Sequence, residues 1–327
     1  MRSSRCAADG NACALQTRGE RGAHRPLLKR GDTVDVVAPG FRCSEESLRQ
    51  GLAFLRGLGL TPRVPHGLFG RDLLCANADE ARWRQLKRAL LARDSSCVWC
   101  IRAGYGAIRL VPQLLRLRRP ARDKLFVGYS DATTIHYLLN HHWGWPSLHG
   151  PLLDRLGAGT IQPQDLADLQ GVLLEGLPRL RFTNLTALNP PARRRQVLRA
   201  RVFGGNLTVL QSLLGTPLQR RPRQILFLEE IGERAYRIDR VLQHLRQAAA
   251  LRALKAVVFG AFVGGAEADG RNLILPVLER FAREQDFPVM MGVAAGHGER
   301  QRPLFFNTEA ELHCGDAPQL VVATARF

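Results

Sequence analysis

The chain has 327 residues, enough for two domains, and its 45% hydrophobic and 23% charged residues exclude a disordered chain. The formal net charge is +18, but lysine occurs only four times and arginine is spread through nearly every segment. No Cys/His finger, RNA-recognition signature or basic-region helix accompanies this charge, so the composition does not favour a nucleic-acid-binding protein.

The seven cysteines are odd in number and lack compact spacing, which argues against a secreted disulfide framework. Cys97 and Cys100 lie in an apolar run typical of a buried strand, where residues three apart point to opposite faces and cannot pair. Residues 1–26 are expected to form a flexible tail without the apolar core of a secretory signal. No other run approaches the ~20 apolar residues of a membrane span. We therefore expect a soluble cytoplasmic protein.

Strands alternate with helices through the first half of the chain. Short apolar runs predict strands at 33–38, 98–101 and 124–129. A further short strand is predicted at 62–65, where two prolines allow only an edge strand or a loop. Helices are predicted from Ser44, from Asn77 in a capping-box position to Asp94, at 108–115, and after Ser130 with Ile135, Leu138, Leu139 and His142 on one face. This alternation predicts an open parallel sheet that binds its ligand at the carboxyl ends of the strands.

Two loops lie at that edge of the predicted sheet. Gly128-Tyr-Ser-Asp131 is a strand-to-helix turn that would expose the Ser130 hydroxyl beside backbone N–H groups, as a catalytic nucleophile requires. The alternative for Ser130 is a helix cap, which needs no chemistry. Arg102-Ala-Gly-Tyr-Gly106 would let the backbone approach a substrate carbonyl, although it lacks the pattern of a phosphate loop.

The second half begins after a boundary rich in proline and arginine. A helix is predicted at 161–175, and residues 178–195 form the linker between a domain at 27–177 and a domain at 196–327. In the second domain, strands are predicted at 197–203, 225–228 and 256–259 and near residues 289, 304 and 320. Helices are predicted at 207–214, around Ile238 to Ala249, and at about 273–283.

Two polar features of the second domain are candidates for chemistry. Glu229 and Glu230 end an apolar strand, and His297 lies between two glycines. Each has an ordinary alternative, a solvated strand end for the glutamates and a turn for the histidine. With Ser130 they supply a nucleophile, a base and an orienting carboxylate, which is the minimum set for acyl transfer.

Six separated motifs, in this order from about residue 27 to the end, resemble the LD-carboxypeptidase family, whose relatives include the microcin C immunity proteins. They are Gly31-Asp-Thr-Val-Asp-Val-Val-Ala-Pro39, Arg102-Ala-Gly-Tyr-Gly106, Gly128-Tyr-Ser-Asp131 with His149-Gly-Pro151, Gly204-Gly-Asn-Leu207 with Leu214-Gly-Thr-Pro217, Leu226-Phe-Leu-Glu-Glu230 with Tyr236-Arg-Ile-Asp-Arg240, and Gly296-His-Gly298.

The resemblance implies a serine peptidase that removes the terminal D-alanine from murein tetrapeptides in peptidoglycan recycling. Its triad falls on Ser130, His297 and Glu229, with Glu229 rather than Glu230 as the carboxylate. It further implies a flavodoxin-like N-terminal domain with a parallel sheet, a smaller C-terminal swivelling β/α domain, a homodimer, and no metal or cofactor. The alternatives are a relative that cleaves an aminoacyl-nucleotide amide and a non-catalytic nucleic-acid-binding module.

The resemblance also suggests an oxyanion hole from the backbone N–H groups of Gly104 and Asp131. As a side chain, Asp131 has helix capping as its alternative. Arg102, Tyr105 and Asn206 are candidate substrate-binding residues, with Arg102 facing either the terminal carboxylate or a surface ion pair. Ala103 stands where the family usually has a glycine, and this departure puts the detailed conformation of the loop in question.

Overall fold

The computed structural model describes residues 25–216 and 223–327. Most of the expected N-terminal tail, residues 1–24, lies outside the described residues.

Within the described residues the strands and helices alternate along most of the chain. The strands are β1 (Thr33–Val37), β2 (Thr61–Arg63), β3 (Cys97–Cys100), β4 (Leu125–Gly128), β5 (Ser147–His149), β6 (Arg179–Phe182), β7 (Thr186–Ala187), β8 (Gln196–Asn206), β9 (Ile225–Ile231), β10 (Ala256–Val263), β11 (Val289–Met291), β12 (Leu304–Phe306), β13 (Glu309–Cys314) and β14 (Gln319–Ala323). The helices are α1 (Glu45–Gly57), α2 (Asp79–Leu91), α3 (Val111–Arg116), α4 (Thr133–Tyr137), α5 (Leu153–Gly157), α6 (Pro163–Leu174), α7 (Pro190–Arg193), α8 (Leu207–Ser212), α9 (Ala235–Gln247) and α10 (Ile274–Arg283).

The first sheet has the strand order β12-β5-β4-β3-β1-β2, and all neighbours are parallel except β12 and β5. The predicted parallel sheet is therefore confirmed, with the proline-containing β2 at its edge. α1 begins where its sequence signals place it, because the Ser44 hydroxyl accepts a hydrogen bond from the Ser47 backbone N–H.

Apolar side chains cover both faces of this sheet, so its strands are buried. Cys97 packs into one hydrophobic cluster and Cys100 into another, which confirms that they point to opposite faces of β3. Both are free thiols, and burial raises the pKa of each.

The second sheet has the order β6-β14-β13-β8-β9-β10-β11-β7 and is mixed, with parallel pairing from β8 to β11. Residues 178–195, expected as a linker, contain β6, β7 and α7, and both strands pair within this sheet, with β14 and β11. β6 and β13 were not predicted as strands, because their alternation of polar and apolar residues extends over only a few positions.

The two sheets are tied together by the chain segment that follows residue 297. β12 leaves the second half of the sequence to pair with β5 of the first sheet. Beside it, Arg300 forms an ion pair with Asp165 of α6 at 2.6 Å, and Arg302 forms one with Asp168 at 2.5 Å. The first sheet thus depends on residues from both halves of the chain.

Two local predictions were wrong. α2 is preceded by Ala78 as its cap residue, because the Asn77 side chain bonds instead to the neighbouring Ala78 N–H and to the Gly67 carbonyl. After α4 the chain makes a π-helical turn over Leu138–Trp143, which rotates the register, so that His141 is buried and His142 is exposed. Among the described residues, no helix has both the length and the apolarity needed to cross a bilayer.

Candidate active site

Ser130 occupies a sharp turn between β4 and α4. Its φ is +62°, the left-handed region that non-glycine residues seldom adopt, and a short 3₁₀ turn over Ser130–Ala132 leads from it into α4. Neither the 3₁₀ turn nor α4 has a side-chain N-cap, so Ser130 does not serve as a helix cap. The backbone is instead bent in the way that presents a hydroxyl above the edge of a sheet.

Glu229 and His297 form the second part of the site. Glu229 lies near the end of β9, and its Oε2 is 2.7 Å from Nδ1 of His297 and 3.3 Å from the His297 backbone nitrogen. The Glu229 side chain is fully buried, whereas that of His297 is 12% exposed. Because a carboxylate can only accept, Nδ1 carries the proton and Nε2 is left as the basic nitrogen.

Glu230, the neighbouring glutamate, has a different surrounding. Its carboxylate accepts hydrogen bonds from Asn206 Nδ2, the Thr208 amide and hydroxyl, and the Ile231 amide, at 2.7 to 2.9 Å. Glu230 therefore holds the start of α8, and of the two glutamates it is Glu229 that contacts His297.

The histidine lies next to the serine turn. The His297 ring centroid is 4.7 Å from the ring centroid of Tyr129, the residue that precedes Ser130. Burial raises the pKa of Tyr129 to about 12, so its ring packs as a neutral phenol. None of the hydrogen bonds of the described residues joins Ser130 to His297, a contact that in catalytic sites often tightens only when substrate binds.

The glycine loop at 102–106 lies against the same turn through the side chain of Asp131. Asp131 Oδ2 accepts a hydrogen bond from the Ala107 N–H at 2.9 Å, and the carboxylate also faces the Gly106 amide. Burial raises the pKa of Asp131 to about 6, although these amides and Arg82 oppose the shift. The side chain thus does not cap its own helix but joins the serine turn to the glycine loop.

The glycine loop is also held by contacts with Arg82 and Phe41. Arg82, only 1% exposed, donates to the carbonyl oxygens of Pro39 and Gly106. Gly104 has φ +90°, and a Cβ there would lie 2.3 Å from Cδ2 of Phe41, so the position admits only glycine. Ala103, where the family usually has glycine, is buried, and its carbonyl accepts the Phe41 N–H at 2.7 Å. The alanine is therefore compatible with this loop conformation.

A layer of buried polar groups underlies the turn. His136 Nε2 is 2.8 Å from the Gly128 carbonyl oxygen, and its Nδ1 is 2.7 Å from Ser147 Oγ, which also accepts from Asn140 Nδ2 at 3.0 Å. A carbonyl only accepts, so Nε2 carries the proton and Nδ1 accepts from the Ser147 hydroxyl. Burial lowers the pKa of His136 to about 4, which keeps this imidazole neutral near pH 7.

The three expected substrate-binding residues have different environments. Arg102 forms an ion pair with Asp154 at 3.0 Å with about half of its side chain exposed (47%), and Tyr105 is exposed in the glycine loop. Asn206 is buried, with Nδ2 bonded to Glu230 and Oδ1 accepting from the Val209 N–H. In this structure Asn206 supports the junction of β8 and α8 through these two bonds, and its expected role in substrate binding stays a prediction.

The sequence patterns did not single out Arg82, Thr133 or His136, and they considered Glu230 only as an alternative to Glu229 and not as a support for α8. The available signal was a polar residue in an otherwise apolar stretch, as at His136 in α4. Within residues 25–216 and 223–327, no three His, Cys, Asp or Glu side chains come close enough together to hold a metal ion.

Family models match both halves of the chain. The LD-carboxypeptidase N-terminal domain matches residues 34–150, and the LD-carboxypeptidase C-terminal domain matches residues 199–312. A putative carboxypeptidase of Rickettsia conorii is 34% identical over 281 residues, which cover 86% of this chain and 87% of the relative. The murein tetrapeptide carboxypeptidase of Pseudomonas aeruginosa is 28% identical over 290 residues, covering 85% and 92%.

Solved structures share the fold over nearly the whole chain. The muramoyltetrapeptide carboxypeptidase from Oxalobacter formigenes superimposes with a TM-score of 0.77 and 26% identity, covering 89% of this chain and 98% of that one. The microcin C7 self immunity protein MccF, in complex with aspartyl sulfamoyl adenosine, superimposes with a TM-score of 0.76 and 16% identity, covering 93% and 99%. The latter likeness concerns the fold alone.

Proposed function

Because the chain belongs to the LD-carboxypeptidase family and is a serine carboxypeptidase, we propose that it removes the terminal D-alanine from murein tetrapeptides through Ser130, His297 and Glu229. The observation that supports this assignment best is the buried Glu229–His297 pair beside the strained turn at Ser130. The sequence motifs and the Glu229–His297 hydrogen bond both support this proposal, in which the three residues come from both halves of the chain.

In the proposed reaction, Ser130 Oγ attacks the carbonyl carbon of the bond between diaminopimelate and D-alanine, and its proton passes to His297 Nε2. The charge that develops on the carbonyl oxygen is stabilised by the backbone N–H groups of Gly104 and Asp131. His297 then gives its proton to the departing D-alanine nitrogen, and the acyl group stays on Ser130. Water, activated by the same imidazole, hydrolyses the acyl-enzyme and restores the serine.

The role of Glu229 follows from its hydrogen bond to His297. The carboxylate holds the tautomer that leaves Nε2 free, and its charge stabilises the imidazolium formed when the serine loses its proton. Its full burial places this charge in a region of low dielectric, where the interaction is stronger than at the surface.

The test is incubation of the purified protein with L-Ala-γ-D-Glu-meso-diaminopimelyl-D-Ala, with free D-alanine measured by mass spectrometry. We expect the wild type to release D-alanine and Ser130→Ala to release none. The thermal stability of Ser130→Ala should be unchanged, which shows that the variant is folded. A tetrapeptide ending in L-alanine is the matched substrate control and should remain intact. Undiminished release by Ser130→Ala would overturn the nucleophile assignment.

A second candidate reaction is hydrolysis of an aminoacyl-nucleotide amide. It is favoured by the shared fold with MccF, solved in complex with aspartyl sulfamoyl adenosine, and by the net charge of +18, which suits an anionic substrate. The same assay separates the two, because this alternative predicts cleavage of a glutamyl or aspartyl nucleotide amide and an intact tetrapeptide.

The cellular part of the proposal is a role in peptidoglycan recycling by a cytoplasmic homodimer. Fractionation of cells and light scattering of the purified protein test these two points. Neither affects the assignment of the triad.

A further inference from the structure

The proposed triad is assembled from two sheets, so its geometry depends on how β9 is placed relative to the serine turn. Ser130 lies at the edge of the first sheet, and Glu229 lies on β9 of the second. His297 is anchored to the first sheet by the segment that follows it, through β12 and the ion pair of Arg300 with Asp165. The placement of Glu229 requires a separate contact.

That contact is made by Thr133, the first residue of α4. Its Oγ1 accepts a hydrogen bond from the Asn206 backbone N–H at 3.0 Å, across 73 positions of sequence. Thr133 is fully buried, and Asn206 is 4% exposed. This bond joins the serine turn directly to the end of β8 in the second sheet.

The end of β8 is in turn the neighbour of Glu229. In the parallel pairing of β8 with β9, Asn206 is the register partner of Glu229. The Asn206 side chain reinforces this arrangement, because its Nδ2 donates to Glu230 Oε1 at 2.9 Å. Thr133, three positions after Ser130, therefore makes the bond that fixes the position of this strand beside the triad carboxylate.

The packing around this bond leaves no space for a side chain at position 205. Gly205 has φ +132°, and a Cβ at this position would lie 2.3 Å from Thr133 Oγ1. The strand can approach the threonine hydroxyl only because residue 205 is glycine. Loss of the hydroxyl would leave the Asn206 N–H buried without an acceptor, and the end of β8 would shift towards another partner.

We propose that Thr133 is a positioning residue that aligns Glu229 and His297 with Ser130 through its hydrogen bond to the Asn206 amide. The inference rests on the proposed triad. Its consequence is that removal of one buried hydroxyl, which touches neither substrate nor any triad side chain, slows the chemical step. A displacement of about 1 Å is enough to cost on the order of a hundredfold in rate.

The chain supplies a matched control at the next position. Thr134 is also fully buried at the start of α4, and within residues 25–216 and 223–327 its Oγ1 has no hydrogen-bond partner. Thr133→Val and Thr134→Val therefore make the same chemical change in the same helix. We expect Thr133→Val to lower kcat for D-alanine release at least tenfold with KM nearly unchanged, and Thr134→Val to keep both within about twofold of wild type.

A second pair isolates the hydroxyl if Thr133→Val folds poorly. Thr133→Ala removes the hydroxyl and the methyl group, whereas Thr133→Ser restores the hydroxyl alone. We expect kcat of Thr133→Ser to approach wild type and to exceed that of Thr133→Ala at least tenfold, measured at a temperature where both are folded. Equal kcat values for the Ser and Ala variants would overturn the proposal.

The rate at which a fluorophosphonate labels Ser130 distinguishes this proposal from the proposed function. Such labelling requires an aligned triad but no muropeptide, so it reports alignment even if the natural substrate is another amide. Slow labelling of Thr133→Val beside normal labelling of Thr134→Val supports the alignment role. Equal labelling of the two variants contradicts it, whereas labelling of Ser130→Ala at the wild-type rate contradicts the triad itself.

Discussion

The carboxylate of Glu229 is completely buried and shares one hydrogen bond of 2.7 Å with the imidazole of His297, 68 positions later in the chain. Its neighbour Glu230 is also buried but is surrounded by amide and hydroxyl donors at the start of α8. Two adjacent glutamates thus have separable roles, one beside the proposed base and one in the support of the fold.

We expect Glu229→Gln to lower kcat by about 10²- to 10⁴-fold with little loss of thermal stability, because the imidazolium loses its charged partner. Glu230→Gln is the matched control. It should lower the free energy of unfolding by about 1–3 kcal/mol, because one amide oxygen cannot satisfy the donors that two carboxylate oxygens accept. Steady-state kinetics and denaturant unfolding of both variants provide the measurements, and a larger loss of kcat in Glu230→Gln would reverse our assignment.

We expect the free energy of unfolding of the wild type to fall, relative to that of Asp131→Asn, as the pH rises from about 4 to 6. Burial raises the pKa of this carboxyl to about 6 in the folded protein, so the folded state holds a proton that the unfolded chain releases. The slope approaches about 1.4 kcal/mol per pH unit within this window. Urea unfolding at several pH values measures it, and a difference independent of pH would show that burial does not shift this group.

His136 should have the opposite effect, which provides an internal comparison. Burial lowers the pKa of its imidazole to about 4. Between pH 6.5 and 4 the unfolded chain therefore binds a proton that the folded protein does not bind. Stability of the wild type should therefore fall on acidification relative to His136→Gln, whose amide can still donate to the Gly128 carbonyl. The same unfolding series tests this sign, and parallel curves for the two proteins would contradict it.

Arg102 should bind the terminal carboxylate of the substrate when it is released from Asp154. We expect Arg102→Ala to raise KM about tenfold with kcat little changed, since one charge-assisted contact is lost in both ground and transition states. Arg109 is similarly exposed and pairs with Asp79, so Arg109→Ala is the matched control and should leave KM unchanged. With a substrate amidated at its terminus, the effect of Arg102→Ala should vanish, and its persistence would assign Arg102 a structural role.

Much of the fold follows from short-range patterns. The apolar run at β4 and the serine cap of α1 specify their elements locally, and both appear where the sequence predicts them. The π-helical turn after α4, in which His141 and Trp143 are both buried, does not follow from the 3.6-residue periodicity of an α-helix. β6 and β7 were missed because they are short and gain stability only from strands distant in sequence.

In the candidate site too, some features follow from local sequence and others depend on contacts between distant residues. Ser130, Glu229 and His297 could be selected from residue type and from motifs. The groups that hold them could not, because Asp131 Oδ2 meets the Ala107 amide, and Thr133 meets the Asn206 amide, only after the chain has folded. Supporting contacts of this kind depend on distances between loops, which residue spacing does not encode.

The pairing of β12 with β5 has a consequence for the order in which the molecule can be built. Residues 147–149 are synthesised long before residues 304–306, so until β12 has emerged from the ribosome the outer edge of β5 has no strand to pair with. Such an edge can pair with other chains and is a point of risk for aggregation. The sheet that carries the proposed nucleophile therefore gains its last strand only after nearly all of the second half of the chain has been synthesised.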